Sequence, residues 1–233
     1  MTVVFSNDSR LLLENLPDAA AQLPGVRQVW MRQHDAIVLS KTHAGFDKAG
    51  VETISALLGS ITRGEYGALK FLIFDFAHGP GAASPAAEGF AAMVAANAEL
   101  IVDTPVITLA WARSLMSGAD FDFAMHCSAI VAEAGAKFSF EGEPFELFGL
   151  YAALGRRIGF VKTERLIESD SVIGAEEARE LMIVKDVVEP QPELAAIDAY
   201  LRLFGRRYNA SHAIFRAERM AQPPIDRRAL DRR

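Results

Sequence analysis

Four runs of branched and aromatic residues, AIVLS (36–40), LKFLIFDFA (69–77), PVITLAWA (105–112) and SAIVAE (128–133), constrain this chain more than any other feature. Each is too continuously apolar to keep one wet face, which is how strands covered on both sides of a parallel sheet read. Between them the apolar spacing changes to 3.6 residues. Residues 46–61 predict a helix that ends near Gly64 and Gly67, and residues 86–101 predict another. Ser84 and Pro85 suit the start of the second, because a serine hydroxyl accepts from exposed first-turn amides and proline has no amide to lose there. Strands alternating with helices give an α/β class with a largely parallel sheet.

The same reading places a short helix near 119–127 and a strand at AKFSF (136–140). Helices follow around 144–154, 158–168 and 175–182, then the strand DVVE (186–189) and a C-terminal helical segment. Residues 8–22 have helical spacing, broken at Pro17, and read as an N-terminal appendage. A chain of 233 residues that is 51% hydrophobic can fill one large core. The expected organisation is therefore a core over 1–190 with an N-terminal extension, and a helical segment over 191–233 suited to oligomerisation.

A net charge of −6 argues against general nucleic-acid binding. Charge is uneven, however: residues 196–233 hold nine arginines against four acids, among them Arg206, Arg207, Arg227, Arg228, Arg232 and Arg233. Such an edge suits either a solvated helix face or phosphate groups. Cys127 is the single cysteine, so no intramolecular disulfide forms and a reducing interior is expected. The first ten residues lack a basic start and a long apolar stretch, and no uncharged apolar run reaches membrane-span length. The chain is expected to be soluble and cytoplasmic.

The histidines and the cysteine show none of the short spacings of metal ligands. GxSxG is absent, so serine hydrolysis is not indicated, and Cys127 among Phe123, Ala124 and Ile130 reads as a small buried hydrophobe. His126 lies one helical turn after Asp122, where the two suit either a relay or a satisfied core pair. His78 falls in the turn-forming cluster after the second strand run.

The block TPVITLAWARSLMSGADFDFAMHCSAIVAEAGAKFSF resembles the strand, glycine-rich turn, helix and following strands of the crotonase (enoyl-CoA hydratase/isomerase) superfamily. AMHCSAIVAEAGAKF matches the spacing of AxxCDxRIAxxxAxF, and GAEEARELMIVKDVVEP is similar to the family's late helix, strand and proline. FLIFDFAHG sits where the family begins its active site, so the resemblance spans roughly residues 69–190. FDFAHG, PFELFGLY and the long N-terminal lead are also similar to the bacterial diffusible-signal-factor synthases.

The resemblance implies a crotonase-like ββα superhelix with a C-terminal helical segment, acting on an acyl thioester. Two backbone amides would grip the thioester oxygen and stabilise an enolate; preorganised donors of this kind contribute several kcal/mol each. By position they belong to Phe76, with Ala77 beside it, and to Ala119, next to Gly118. The family usually has three successive glycines where this chain has Gly118, Ala119 and Asp120. The first acid/base carboxylate falls on Asp122, one methylene shorter than the usual glutamate. The second falls on Gly142 in strict register, or on Glu143 or Glu141 with a one-residue shift; Glu146 reads as structural. Coenzyme A would enter only as part of the substrate, with no separate cofactor. Partners would be an acyl-CoA or an acyl-carrier thioester, and a second copy of the chain in a trimer or hexamer. A hydratase or isomerase is the simplest activity, and thioester hydrolysis or dehydration on a carrier protein and a non-catalytic scaffold are the alternatives.

Overall fold

The computed structural model describes residues 20–45, 47–79, 90–140, 150–169 and 171–221. Pro24 and Gly25 turn β1 (Ala20–Leu23) back onto β2 (Val26–Met31), an antiparallel pair with Leu23 opposite Val26. Gly25 is in the left-handed region at φ 71°, and a side chain there would collide with Gly50 N at 2.3 Å, so only glycine fits. Ala20 to Gln22 therefore lie in a strand, correcting the expected helix over 8–22 at its end; residues 8–19 lie outside the described set.

Among the described residues the main sheet continues through β3 (Ala36–Lys41), β4 (Phe71–Phe76), β5 (Ile107–Ala112), β7 (Ala129–Glu133) and β10 (Asp186–Val188). From β3 onward every pairing is parallel, as the continuous apolar runs require. A three-stranded sheet is formed by β6 (Leu115–Met116), β8 (Lys137–Ser139) and β9 (Val172–Gly174). Neither β6 nor β9 is expected from the sequence, since two or three residues give no readable period.

Helices cover both faces of the main sheet. The helices α1 (Lys48–Thr62), α2 (Phe90–Asp103) and α3 (Gly118–His126) lie over one face. There Ile37, Leu39, Leu72, Phe74 and Ala110 meet Val51, Ile54, Leu58, Ile101 and Phe123 in one core. Asp47 caps α1, its carboxylate accepting from Gly50 N at 2.6 Å. The expected start of α2 at Ser84 and Pro85 lies outside the described residues.

Past the sheet run α4 (Leu150–Ile158), α5 (Phe160–Glu168) and α6 (Ala175–Glu180). On the other face α7 (Ala195–Phe204) and α8 (Tyr208–Ala221) bring Ala196, Ile197, Tyr200, Leu201 and Phe215 against Val38, Phe71, Ile73, Leu109, Trp111 and Val131. Alternation along each strand sends odd and even positions to these two cores. No helix among the described residues is long and apolar enough to cross a membrane.

Candidate active site

Parallel strands in an open α/β sheet end together, and the crevice outside their carboxyl ends is where such folds bind ligands. Here β3, β4, β5 and β7 end at Lys41, Phe76, Ala112 and Glu133, and α3 begins beside them. Three aromatic contacts set α3 in place. Phe123 packs edge-on against Phe74 of β4 at 4.8 Å between ring centres, and Phe121 packs on Phe138 of β8 and Phe140 at 5.4 and 5.5 Å. The helix is thereby wedged between the two sheets with Phe121 to Met125 all buried.

Gly118 opens α3 at φ 52°, with nothing within 4 Å of where a side chain would point; the demand for glycine there is conformational. Ser117 precedes it without using its hydroxyl as a cap. The first amides of a helix have no partner within it and face outward with the positive end of the dipole. Gly118 and half-buried Ala119 are thus at the outward-facing start of α3.

Phe76 is placed differently from its expected position in the loop. It is the last residue of β4, in register with Ala112, with its ring buried and its carbonyl accepting from Ser114 Oγ at 3.1 Å. Pairing with β5 ends at Phe76 and Ala112, one residue short of the end of the apolar run 69–77, yet it still takes in Phe76. The loop begins at Ala77, and Gly79 holds φ 64° in it.

The segments on either side of this crevice are joined by a residue that sequence reasoning passes over. Lys41, at the end of β3 and only 6% exposed, places Nζ 2.5 Å from Asp120 Oδ2 and donates to Gly79 O at 3.3 Å. The ammonium also lies 5.4 Å from the centre of the Phe76 ring. Asp120 is in the first turn of α3 and 2% exposed. Burial raises its carboxyl above the usual aspartate range, and the lysine charge opposes that rise. The Asp120 carboxylate is turned to a cation. A void of about 10 Å³ beside Lys41 and Phe76 holds one water at most.

Asp122 is fully enclosed on α3, four residues before half-buried His126. Glu141, Gly142, Glu143 and Glu146 lie outside the described residues. Cys127 is 2% exposed and ends α3 with extended backbone. His78 is exposed.

A second charged group occupies the opposite face of the same strand ends. Ser40 Oγ donates to Asp75 Oδ2 at 2.8 Å, and Arg113 lies 3.6 Å from Asp75 and 3.1 Å from Glu133 while covering the Trp111 ring at 4.3 Å. Burial pushes both carboxyls up, with Arg113 opposing. One charged residue at the close of each apolar run (FDF, WAR, VAE) is the signal that could have located it. At the other end of the sheet Lys70, just ahead of β4, lines an open groove with Arg206 and Arg207. Among the described residues no three His, Cys, Asp or Glu side chains gather to hold a metal.

No protein-family model matches the sequence, and no curated protein matches it. Solved structures do. The chain has a mixed α/β fold of two unequal sheets, with helices on both faces of the larger one. That fold is the one seen in enoyl-CoA hydratase/isomerase (crotonase superfamily) structures. It is similar to an enoyl-CoA hydratase from Mycobacterium smegmatis, at 16% identity over 89% of this chain and 88% of that one, with a TM-score of 0.66. An enoyl-CoA hydratase/isomerase from Marinobacter aquaeolei gives 15% identity, 89% and 87% coverage, and 0.66. DspI from Pseudomonas aeruginosa gives 16% identity, 87% and 81% coverage, and 0.61.

Proposed function

We propose that this protein is a divergent acyl-thioester enzyme of the crotonase superfamily, polarising a thioester carbonyl to stabilise an enolate. The observation that carries the reading is the opening of α3. A left-handed Gly118 with no serine cap presents first-turn amides at the carboxyl ends of parallel strands, in a fold shared with enoyl-CoA hydratases. Amides fixed there before the substrate arrives need no reorganisation when negative charge develops on the oxygen. Ala119 is the donor on the helix side, and the segment from Phe76 through Ala77 supplies the other.

Asp122 is the proton-handling carboxylate in this reading, shorter than glutamate and fully enclosed on α3. Glu143 or Glu141 is the second carboxylate. Substrates are acyl-CoA or carrier-bound acyl thioesters, and copies of the chain associate through α7 and α8, where Leu203, Ile214 and Met220 are exposed.

A panel of acyl-CoA and acyl-carrier thioesters, followed for hydration, double-bond migration and free-thiol release, tests this. Hydration or migration that falls about 100-fold or more in Asp122→Asn is the expected outcome. Thiol release without hydration points instead to a thioesterase. Binding of thioesters with no turnover of any kind leaves a scaffold and refutes the enzyme.

A further inference from the structure

A buried lysine at the end of a core strand needs a reason, because desolvating an ammonium and a carboxylate offsets most of their attraction. An apolar pair of the same volume would stabilise the fold as well or better. Stability alone therefore does not account for Lys41 and Asp120, which are 6% and 2% exposed. What the pair touches is more telling. Gly79 O receives both Lys41 Nζ at 3.3 Å and Gly45 N at 3.2 Å, which fixes the loop leaving β4. Asp120 belongs to the first turn of α3, one residue past Ala119. One cation thus ties together the two backbone segments between which a thioester oxygen would sit.

We propose that Lys41 is a positioning residue for the carbonyl-binding site. Its ammonium, bonded at once to Asp120 and to Gly79 O, sets the distance between the loop after β4 and the start of α3. The proposal rests on the acyl-thioester reading above. It also explains how this chain dispenses with two of the glycines at 118–120: a side-chain tie replaces the close backbone approach that glycine permits. The amides do the binding, and Lys41 holds them at the working spacing.

The test compares the full-length protein with Lys41→Met/Asp120→Asn, which removes both charges at nearly constant volume. Each binds octanoyl-CoA labelled with carbon-13 at the carbonyl, read by difference infrared spectroscopy alongside kcat and KM on the best substrate of the panel. The wild type is expected to lower the carbonyl stretch of the bound thioester. The double variant is expected to fold, to keep KM within about threefold, to lose the downshift and to lose about 100-fold in kcat, comparable to one mispositioned donor. Should the Met/Asn protein fail to fold, Lys41→Gln/Asp120→Asn supplies the same test with its polar atoms better satisfied, since glutamine is too short to reach Gly79 from the same strand position. A folded double variant with unchanged carbonyl frequency and kcat overturns the positioning role alone. A wild type that neither binds nor shifts the labelled thioester overturns the acyl-thioester reading and the proposal with it.

Discussion

Replacing Arg157 by methionine tests how α3 is held, because one guanidinium on α4 reaches across to the end of that helix. Its Nη2 donates to Met125 O at 3.2 Å and Cys127 O at 3.3 Å, and its Nη1 donates to Ile183 O at 3.3 Å. Carbonyls at a helix C-terminus have no amide partner within the helix, and a cation there also meets the negative end of its dipole. Methionine keeps the stem and removes every donor. Hydrogen bonds from a charged group contribute about 1.5–3 kcal/mol each, or roughly 4.5–9 for three. Burying the guanidinium, which lowers its pKa from the usual arginine range, offsets part of that sum, leaving a net loss of about 3 kcal/mol. For a chain of this size each kcal/mol moves Tm by about 2–4 °C, so a fall of roughly 6–12 °C is expected. Thermal unfolding followed by circular dichroism, paired with urea titrations, separates lost stability from a changed denatured state. A loss below about 1 kcal/mol at constant urea slope would refute the reasoning and show that those carbonyls find other donors.

The buried carboxyls Asp75, Asp120 and Glu133 all have pKa values raised by burial. The folded state therefore holds their protons more tightly than the unfolded state does, and their contribution to stability is lost as pH rises through the raised values. Acidification toward the carboxylate range is therefore expected to raise the contribution of these groups to Tm, with a smaller gain in Asp75→Asn than in the wild type; an equal gain in both proteins sinks the assignment for Asp75. Gly25→Ala forces a side chain into the left-handed region, at about 1–2 kcal/mol, and onto the Asp47 cap of α1, at about 1 more. Urea unfolding should show a total of about 2–3 kcal/mol, and less than additive loss when combined with Asp47→Ala. Cys127 should resist a thiol reagent in the native protein and react at full stoichiometry in denaturant, since it is 2% exposed; rapid native labelling would contradict its burial.

The strands that position the crevice are legible in the sequence because each is covered on both faces. AIVLS, LKFLIFDFA, PVITLAWA and SAIVAE become β3, β4, β5 and β7 within a residue or two at their ends. The hairpin β1–β2 was hidden by the helical spacing of the residues before it, although Pro24 and Gly25 marked its turn. Gly118, Ala119 and Asp122, named by position in the pattern the sequence resembles, fall in α3 with Gly118 as its first residue, close to the short helix expected at 119–127. Lys41 was not: its partners at 79 and 120 are 38 and 79 positions away, and no periodicity reports a contact that long. The Asp75, Arg113 and Glu133 group escaped for the same reason, each member reading as a lone charge at the end of a different strand.

Gly25 has a reach that its place in a surface turn conceals. Its carbonyl accepts from Thr42 N at 3.2 Å, directly after Lys41, while the room a side chain would need is taken by Gly50 N and Asp47 Oδ1. The first hairpin, the lead into α1 and the lysine that reaches Asp120 thus form one mechanical linkage. A side chain at position 25 would therefore press at once on the hairpin, the cap of α1 and the strand end that carries Lys41.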